Sequence, residues 1–190
     1  MPFKIYQRWN EIPRCSWEKG KIQLPSKIIG LYVSNMNKDD FYIFFDVDGV
    51  LNKKSDWQKK YGIDINCIKI LKDMVKYYNK KYANVYLVIC STWRFGVSND
   101  GKELDTEQVK ALKRMLLTEG LSIYDKTPKS NKSRQEEIEY YIRRNNVTDY
   151  IIIDDDKSLF PNPEKINLYC PDYTKGLTKE DYKKIVKGKW

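Results

Sequence analysis

Two aspartates stand two residues apart where an apolar run stops: Phe41-Tyr42-Ile43-Phe44-Phe45 leads directly into Asp46-Val47-Asp48-Gly49. In an extended segment residues i and i+2 share a face, so the carboxylates of Asp46 and Asp48 converge. Carboxylates that close repel each other unless a cation or a shared proton intervenes. The chemistry this points to is a divalent metal site with acid and base work beside it; an ordinary strand closed by an Asp-Gly turn is the plainer alternative. A second acidic cluster, Asp154-Asp155-Asp156, follows the run Tyr150-Ile151-Ile152-Ile153. Three successive carboxylates after a buried strand suit a hard cation, which prefers oxygen donors. The chain contains no histidine, which excludes histidine-dependent triads and leaves a carboxylate, a lysine or a tyrosine as general base.

The elements that must position these groups follow from periodicity. Short continuous apolar runs suit strands covered on both faces, as in a parallel α/β sheet. A third such run, Val85-Tyr86-Leu87-Val88-Ile89-Cys90, ends at Ser91-Thr92-Trp93-Arg94. Between the runs, Asp64 caps a helix carrying Cys67, Ile68, Leu71, Met74, Val75 and Tyr78, and Asp105 with Gln108 resembles a capping box before Val109, Leu112, Met115 and Leu116, closed by Gly120. A short strand is expected at Leu121–Tyr124. The basic loop Lys126–Lys132 then reaches a second capping box, Ser133 with Glu136, whose helix buries Ile138, Tyr141 and Ile142. A further strand is expected at Ile166–Tyr169, and Thr178 caps a last helix. Strand, helix, strand units of this length imply right-handed parallel crossovers, which bring all the polar strand ends to one edge of the sheet.

Lys132 and Arg134 flank the start of the helix after Ser133, where cations oppose the helix dipole. A phosphate bound there would resolve the conflict; side chains that simply reach water are the alternative. Residues 1–40 read as an N-terminal extension packed on the core, with a strand-like run Ile28-Ile29-Gly30-Leu31-Tyr32-Val33 and the tryptophans Trp9 and Trp17. Residues 41–190 read as one domain.

Lysine and arginine number 35 against 26 acidic residues, a formal net charge of +9. That excess favours a polyanionic partner such as nucleic acid, although a general compositional bias would produce it too. Cys15, Cys67, Cys90 and Cys170 form no Cys-x-x-Cys pair, which fits a reducing cytoplasm. No apolar run approaches the ~20 residues of a membrane span, and no signal-peptide core opens the chain.

In this order the motifs resemble the haloacid dehalogenase (HAD) superfamily of phosphohydrolases. Its first signature matches Asp46-Val47-Asp48-Gly49, its second Ser91, its third Lys132 and its fourth Asp154-Asp155. More narrowly, Ser91-Thr92-Trp93-Arg94, Arg134-Gln135-Glu136-Glu137-Ile138 and the triple aspartate resemble the HAD domains of Swiss Army Knife RNA repair proteins. The resemblance implies a three-layer Rossmann-like fold, a central parallel sheet with helices on both faces. It also implies Mg²⁺ held by Asp46, the Asp48 backbone carbonyl and Asp155, with Asp154 as a further ligand or a supporting acid and Asp156 in a supporting role. Asp46 is then the nucleophile that carries an aspartyl phosphate, and Asp48 the acid and base. Ser91 or Thr92, with Lys132, Lys129 or Arg134, and Arg94 are the candidates for binding the phosphoryl oxygens.

Neither of the two gaps where such enzymes insert a cap has room for a cap domain, so a minimal cap or none is expected. An open site admits macromolecular ends, and Lys53, Lys54, Arg94, Lys126, Lys129 and Arg134 are candidates to line the approach. The expected substrate is a phosphate monoester on an RNA or DNA end or a nucleotide. The competing readings are a small metabolite or phosphoprotein as substrate, and a catalytically silent binding module.

Overall fold

The structure is a computed structural model that describes residues 17–18, 21–22, 39–98, 105–130 and 132–188. The chain divides into two compact units, Met1–Lys38 and Asp39–Trp190. In the first, strands β1 (Trp17–Glu18) and β2 (Lys21–Ile22) pair antiparallel. The strand-like run at residues 28–33 and Trp9 lie outside the described residues.

The second unit is built on a five-stranded, wholly parallel sheet. Its strands are β3 (Phe41–Phe45), β4 (Val85–Ile89), β5 (Asp125–Lys126), β6 (Asp149–Ile153) and β7 (Leu168–Tyr169), in the order β5-β4-β3-β6-β7. Phe41, Ile43 and Phe45 face one side, where helices α1 (Ile65–Tyr78), α2 (Glu107–Thr118) and α4 (Lys179–Val186) contribute Leu71, Leu112, Leu116 and Ile185 to a common core. The even positions Phe44, Val88 and Ile152 face the other side and pack on Ile138 and Tyr141 of α3 (Arg134–Arg144). The two-residue side-chain period of the strands thus divides the apolar runs between two cores and makes three layers.

Register decides where the chemistry falls. Phe45 is level with Ile89 on one side and with Ile153 on the other. The next residues, Asp46, Cys90 and Asp154, stay tied to the ladder by Asp46 N–H to Ile153 O at 2.9 Å, Cys90 N–H to Phe45 O at 3.0 Å and Asp154 N–H to Tyr169 O at 3.1 Å. Their side chains therefore leave the sheet from one carboxyl edge.

Helix caps fall largely where the residue types place them. Asp64 accepts the Asn66 N–H, Ser133 and Glu136 form a reciprocal capping box, and Thr178 forms one with Asp181. Two readings shift. Thr106, not Asp105, caps α2, because the Asp105 carboxylate is taken up by Ser98 N–H at 3.0 Å and by Lys113 at 2.7 Å. The strand expected at Leu121–Tyr124 begins only at Asp125. Gly120 leaves α2 with φ +73° and Leu121 N–H folds back to Leu116 O, so the chain reaches β4 only at Tyr124, whose N–H donates to Leu87 O at 2.8 Å just before β5. The strand expected at Ile166–Tyr169 is likewise confined to Leu168–Tyr169.

The connection from β3 to α1 holds one 3-10 turn, Lys54–Asp56, and that from β4 to β5 holds the 3-10 turn Thr92–Gly96 and α2. Among the described residues there is no cap domain.

Candidate active site

The loop leaving β3 is wound tightly. Val50 and Leu51 N–H groups return to Val47 O at 3.2 and 2.8 Å, and Val47, Val50 and Leu51 are all buried. Gly49 has φ +75°, and a Cβ there would stand 2.3 Å from the Asp155 carboxyl carbon. Only glycine allows the β3 and β6 loops to close on each other at this point. The approach brings Asp46, Asp154 and Asp155 together, with a carboxylate oxygen from each lying within 4.8 Å of the others.

The third pole of the cluster is Arg134, in the first turn of α3. Its Nη1 lies 2.5 Å from Asp154 Oδ2 and 3.2 Å from Asp46 Oδ1, and its side chain is almost wholly buried. One guanidinium thus faces a cluster of three acids. Burial, reinforced by Asp48, raises the Asp46 pKa even though Arg134, the Ser91 hydroxyl and the Val47 N–H favour its charged form. Burial and then the neighbouring Asp46 push Asp154 up to about 7 and Asp155 up to about 6. Arg134 is held protonated above its ordinary value by Asp46 and Asp154, against burial. Negative charge here exceeds what the protein neutralises, and the donors are all hard oxygens. The cluster therefore fits Mg²⁺ or a similar hard divalent cation, to which Asp46, Asp154 and Asp155 each offer a carboxylate oxygen.

The triple aspartate splits three ways. Asp154, with no exposed surface, accepts from Arg134 and, at 3.0 Å, from the Asp156 N–H. Asp155 enters the cluster against Gly49. Asp156 turns away to cap the 3-10 turn Lys157–Leu159, accepting from Ser158 N–H at 3.0 Å.

The Asp48 carboxylate is held apart from the acid cluster by two donors. Asn52 Nδ2 reaches Asp48 Oδ1 at 2.9 Å, and Trp93 Nε1 reaches Oδ2 at 2.8 Å. Asn52 is itself fixed, accepting from Gly49 N–H at 2.9 Å and from Trp57 Nε1 at 3.0 Å, and donating to Gly62 O at 2.9 Å. Each Asp48 oxygen keeps a free lone pair for a proton.

Ser91 is buried, its Oγ accepts the Trp93 N–H at 3.3 Å and its hydroxyl favours the charged form of Asp46, whereas Thr92 is exposed at the start of the 3-10 turn. Lys132 lies at the surface, its ammonium 3.9 Å from Glu136. Lys129 sits 5.1 Å over the Phe95 ring. Arg94 is buried, with Nη2 2.5 Å from Glu137 and Nη1 donating to Cys90 O and Ser91 O at 2.8 and 3.0 Å. Glu137 also accepts from Ser130 N–H at 2.7 Å, which ties the loop before α3 to the turn after β4. Lys53 pairs with Asp64 at 3.6 Å, and Lys54 lies 5.5 Å over Tyr173.

Asn52 was not among the residues singled out from sequence, and Glu137 figures there only within the run Arg134–Ile138, with no role of its own. Glu137 carries a usable signal, since it lies four residues before Tyr141 on the inward stripe of α3, just as Arg134 lies four before Ile138. Asn52 sits in a loop with no periodicity to expose it.

A family model described as "HAD domain in Swiss Army Knife RNA repair proteins" matches residues 42–182. No curated protein matches the chain.

Proposed function

The chain belongs to the HAD domain family of Swiss Army Knife RNA repair proteins, and from that premise we propose that it is a Mg²⁺-dependent phosphatase acting on phosphate monoesters at nucleic acid ends or on nucleotides. The observation that carries this reading is the placement of Asp46 at the tip of β3, 3.2 Å from Arg134 and within the cluster of Asp154 and Asp155. A carboxylate attacks a phosphate monoester only where cations offset the phosphoryl charge.

An Asp46 oxygen attacks phosphorus as the bond to the leaving oxygen breaks, and Asp48 gives that oxygen its proton. Asp48 then takes a proton from water, the water oxygen attacks phosphorus, and the acyl phosphate bond breaks to return Asp46 and free phosphate. Arg134 and the Ser91 hydroxyl donate to the phosphoryl oxygens. Asn52 and Trp93 hold Asp48 in one rotamer through both steps. Asp46 and Asp155 would hold Mg²⁺, which would supply further positive charge beside the phosphoryl group.

The test is phosphate release from a generic aryl phosphate and from 3′- and 5′-phosphorylated oligonucleotides, with and without Mg²⁺. Turnover is expected only with Mg²⁺, and Asp46→Asn is expected to lower it on the order of 1,000-fold or more. Turnover that survives Asp46→Asn, or none on any of these substrates by a folded, Mg²⁺-binding protein, would overturn the proposal.

A further inference from the structure

A cavity of about 610 Å³ lies beside the candidate active site, lined by Arg94, Phe95, Lys126, Thr127, Lys129, Tyr140 and Arg144 among others. It runs from the 3-10 turn Thr92–Gly96, past edge strand β5, to the C-terminal half of α3. That 3-10 turn begins at Ser91. Trp93 on it bonds Asp48, and the next two residues line the cavity. The active site and the cavity therefore share one rigid turn.

Four cations and one acid, Asp125, line the space. Glu137 neutralises Arg94, and Lys126 is committed through its ammonium to the Val97 carbonyl. Asp125 is committed as well, accepting from the Tyr141 hydroxyl at 2.8 Å. Lys129 and Arg144 make no ion pair among the described residues. Two exposed rings also line the space, Phe95 at 53% and Tyr140 at 48% exposure, and the Arg94 guanidinium and Lys129 ammonium lie 4.4 and 5.1 Å from the Phe95 ring centroid. Two buried polar atoms of lining residues, Thr127 Oγ1 and Arg94 Nε, have no hydrogen-bond partner. Buried polar groups are seldom left so.

We propose that this cavity holds a short single-stranded stretch of nucleic acid next to its phosphorylated end. Bases stack on Phe95 and Tyr140, and backbone phosphates lie against Lys129 and Arg144. Exposed rings interleaved with cations suit unstacked bases on a charged backbone; a duplex hides its base faces, and an acidic peptide makes no use of the rings. The volume falls in the ~300–1,000 Å³ range of small-ligand sites, which limits the stretch to a few nucleotides. The inference deepens the phosphatase reading by naming the substrate's form, but the binding it asserts is measured independently of turnover.

The experiment measures fluorescence anisotropy of a labelled, unphosphorylated single-stranded oligonucleotide, beside turnover of an aryl phosphate. The proteins are wild type, Arg144→Glu/Tyr140→Ala, and the conservative Arg144→Lys. The double variant is expected to weaken oligonucleotide binding about 10-fold or more, while its aryl phosphate turnover stays within about twofold and Arg144→Lys retains binding. Affinity is expected to fall with rising salt, as phosphate contacts require. Unchanged oligonucleotide affinity in the double variant, or equal competition by duplex DNA or by polyglutamate, would overturn the proposal. Wild type without aryl phosphate turnover, but with single-strand binding that the double variant loses, would reject the phosphatase reading and leave this one standing.

Discussion

Arg94 and Arg134 invite comparison, because both are almost wholly buried and both reach a carboxylate at 2.5 Å. Around Arg94 the charges balance. Glu137 answers it one to one at Nη2, and two main-chain carbonyls take its Nη1 donors. Burial lowers the Arg94 pKa more than Glu137 restores it. Around Arg134 they do not balance: Asp46, Asp154 and Asp155 crowd one guanidinium, and its pKa is raised. A balanced buried pair fastens two elements together, here the turn after β4 and helix α3. An unbalanced one leaves acids that a further cation or a shared proton must offset, and that is the condition a bound metal would meet.

The contrast is sharpest in stability. Arg94→Gln leaves Glu137 buried without its partner, and about 3–5 kcal/mol of unfolding free energy is expected to be lost, read from the denaturant midpoint. Arg134→Gln also strips a partner from buried Asp154, but its distinguishing effect is expected on the chemistry, lowering kcat/KM about 100- to 1,000-fold on an aryl phosphate, as loss of a donor to a developing charge does. If Arg134→Gln kept full turnover while Arg94→Gln abolished it in a folded protein, the two roles would have to be exchanged.

The acid excess makes a third prediction. Mg²⁺ at a hundred times its dissociation constant is expected to stabilise the wild type by about 2.7 kcal/mol, seen as a rise in Tm. Asp155→Asn is expected to lose most of that rise, and Arg94→Gln to keep it. An equal Mg²⁺ effect in the wild type and Asp155→Asn would show that the cluster is not where the ion acts. The smallest effect is expected at Lys132, whose ammonium lies 3.9 Å from Glu136 at the surface; Lys132→Ala should change kcat/KM by no more than about twofold. A large loss there would mean that the start of α3 rearranges when substrate binds.

The apolar runs before Asp46, Ser91 and Asp154 were legible as buried parallel strands because five-residue blocks of aromatic and β-branched residues fit little else. Capping chemistry was legible at Asp64, Ser133 and Thr178, where the residue type and its N3 neighbour carry the signal locally. The cap at Thr106 was misread because Asp105 has a distant partner, Lys113, that no local rule weighs. The strand after Gly120 was misplaced because pairing with β4 begins only where the backbone comes level with Val88.

Sequence alone determined that acids, a serine and basic residues end the strands or open a helix of a parallel sheet, because side-chain period and cap preference act over a few residues. Which of them meet was decided by tertiary structure. Lys132 and Arg134 stand two positions apart, and the turn of α3 points one at water and the other into the acids. Asp154, Asp155 and Asp156 are chemically identical and adjacent, yet one pairs with Arg134, one closes against Gly49 and one caps a turn. Those outcomes depend on strand register and on the approach of loops more than 100 residues apart in the chain, from Gly49 to Asp155, and no local pattern encodes them.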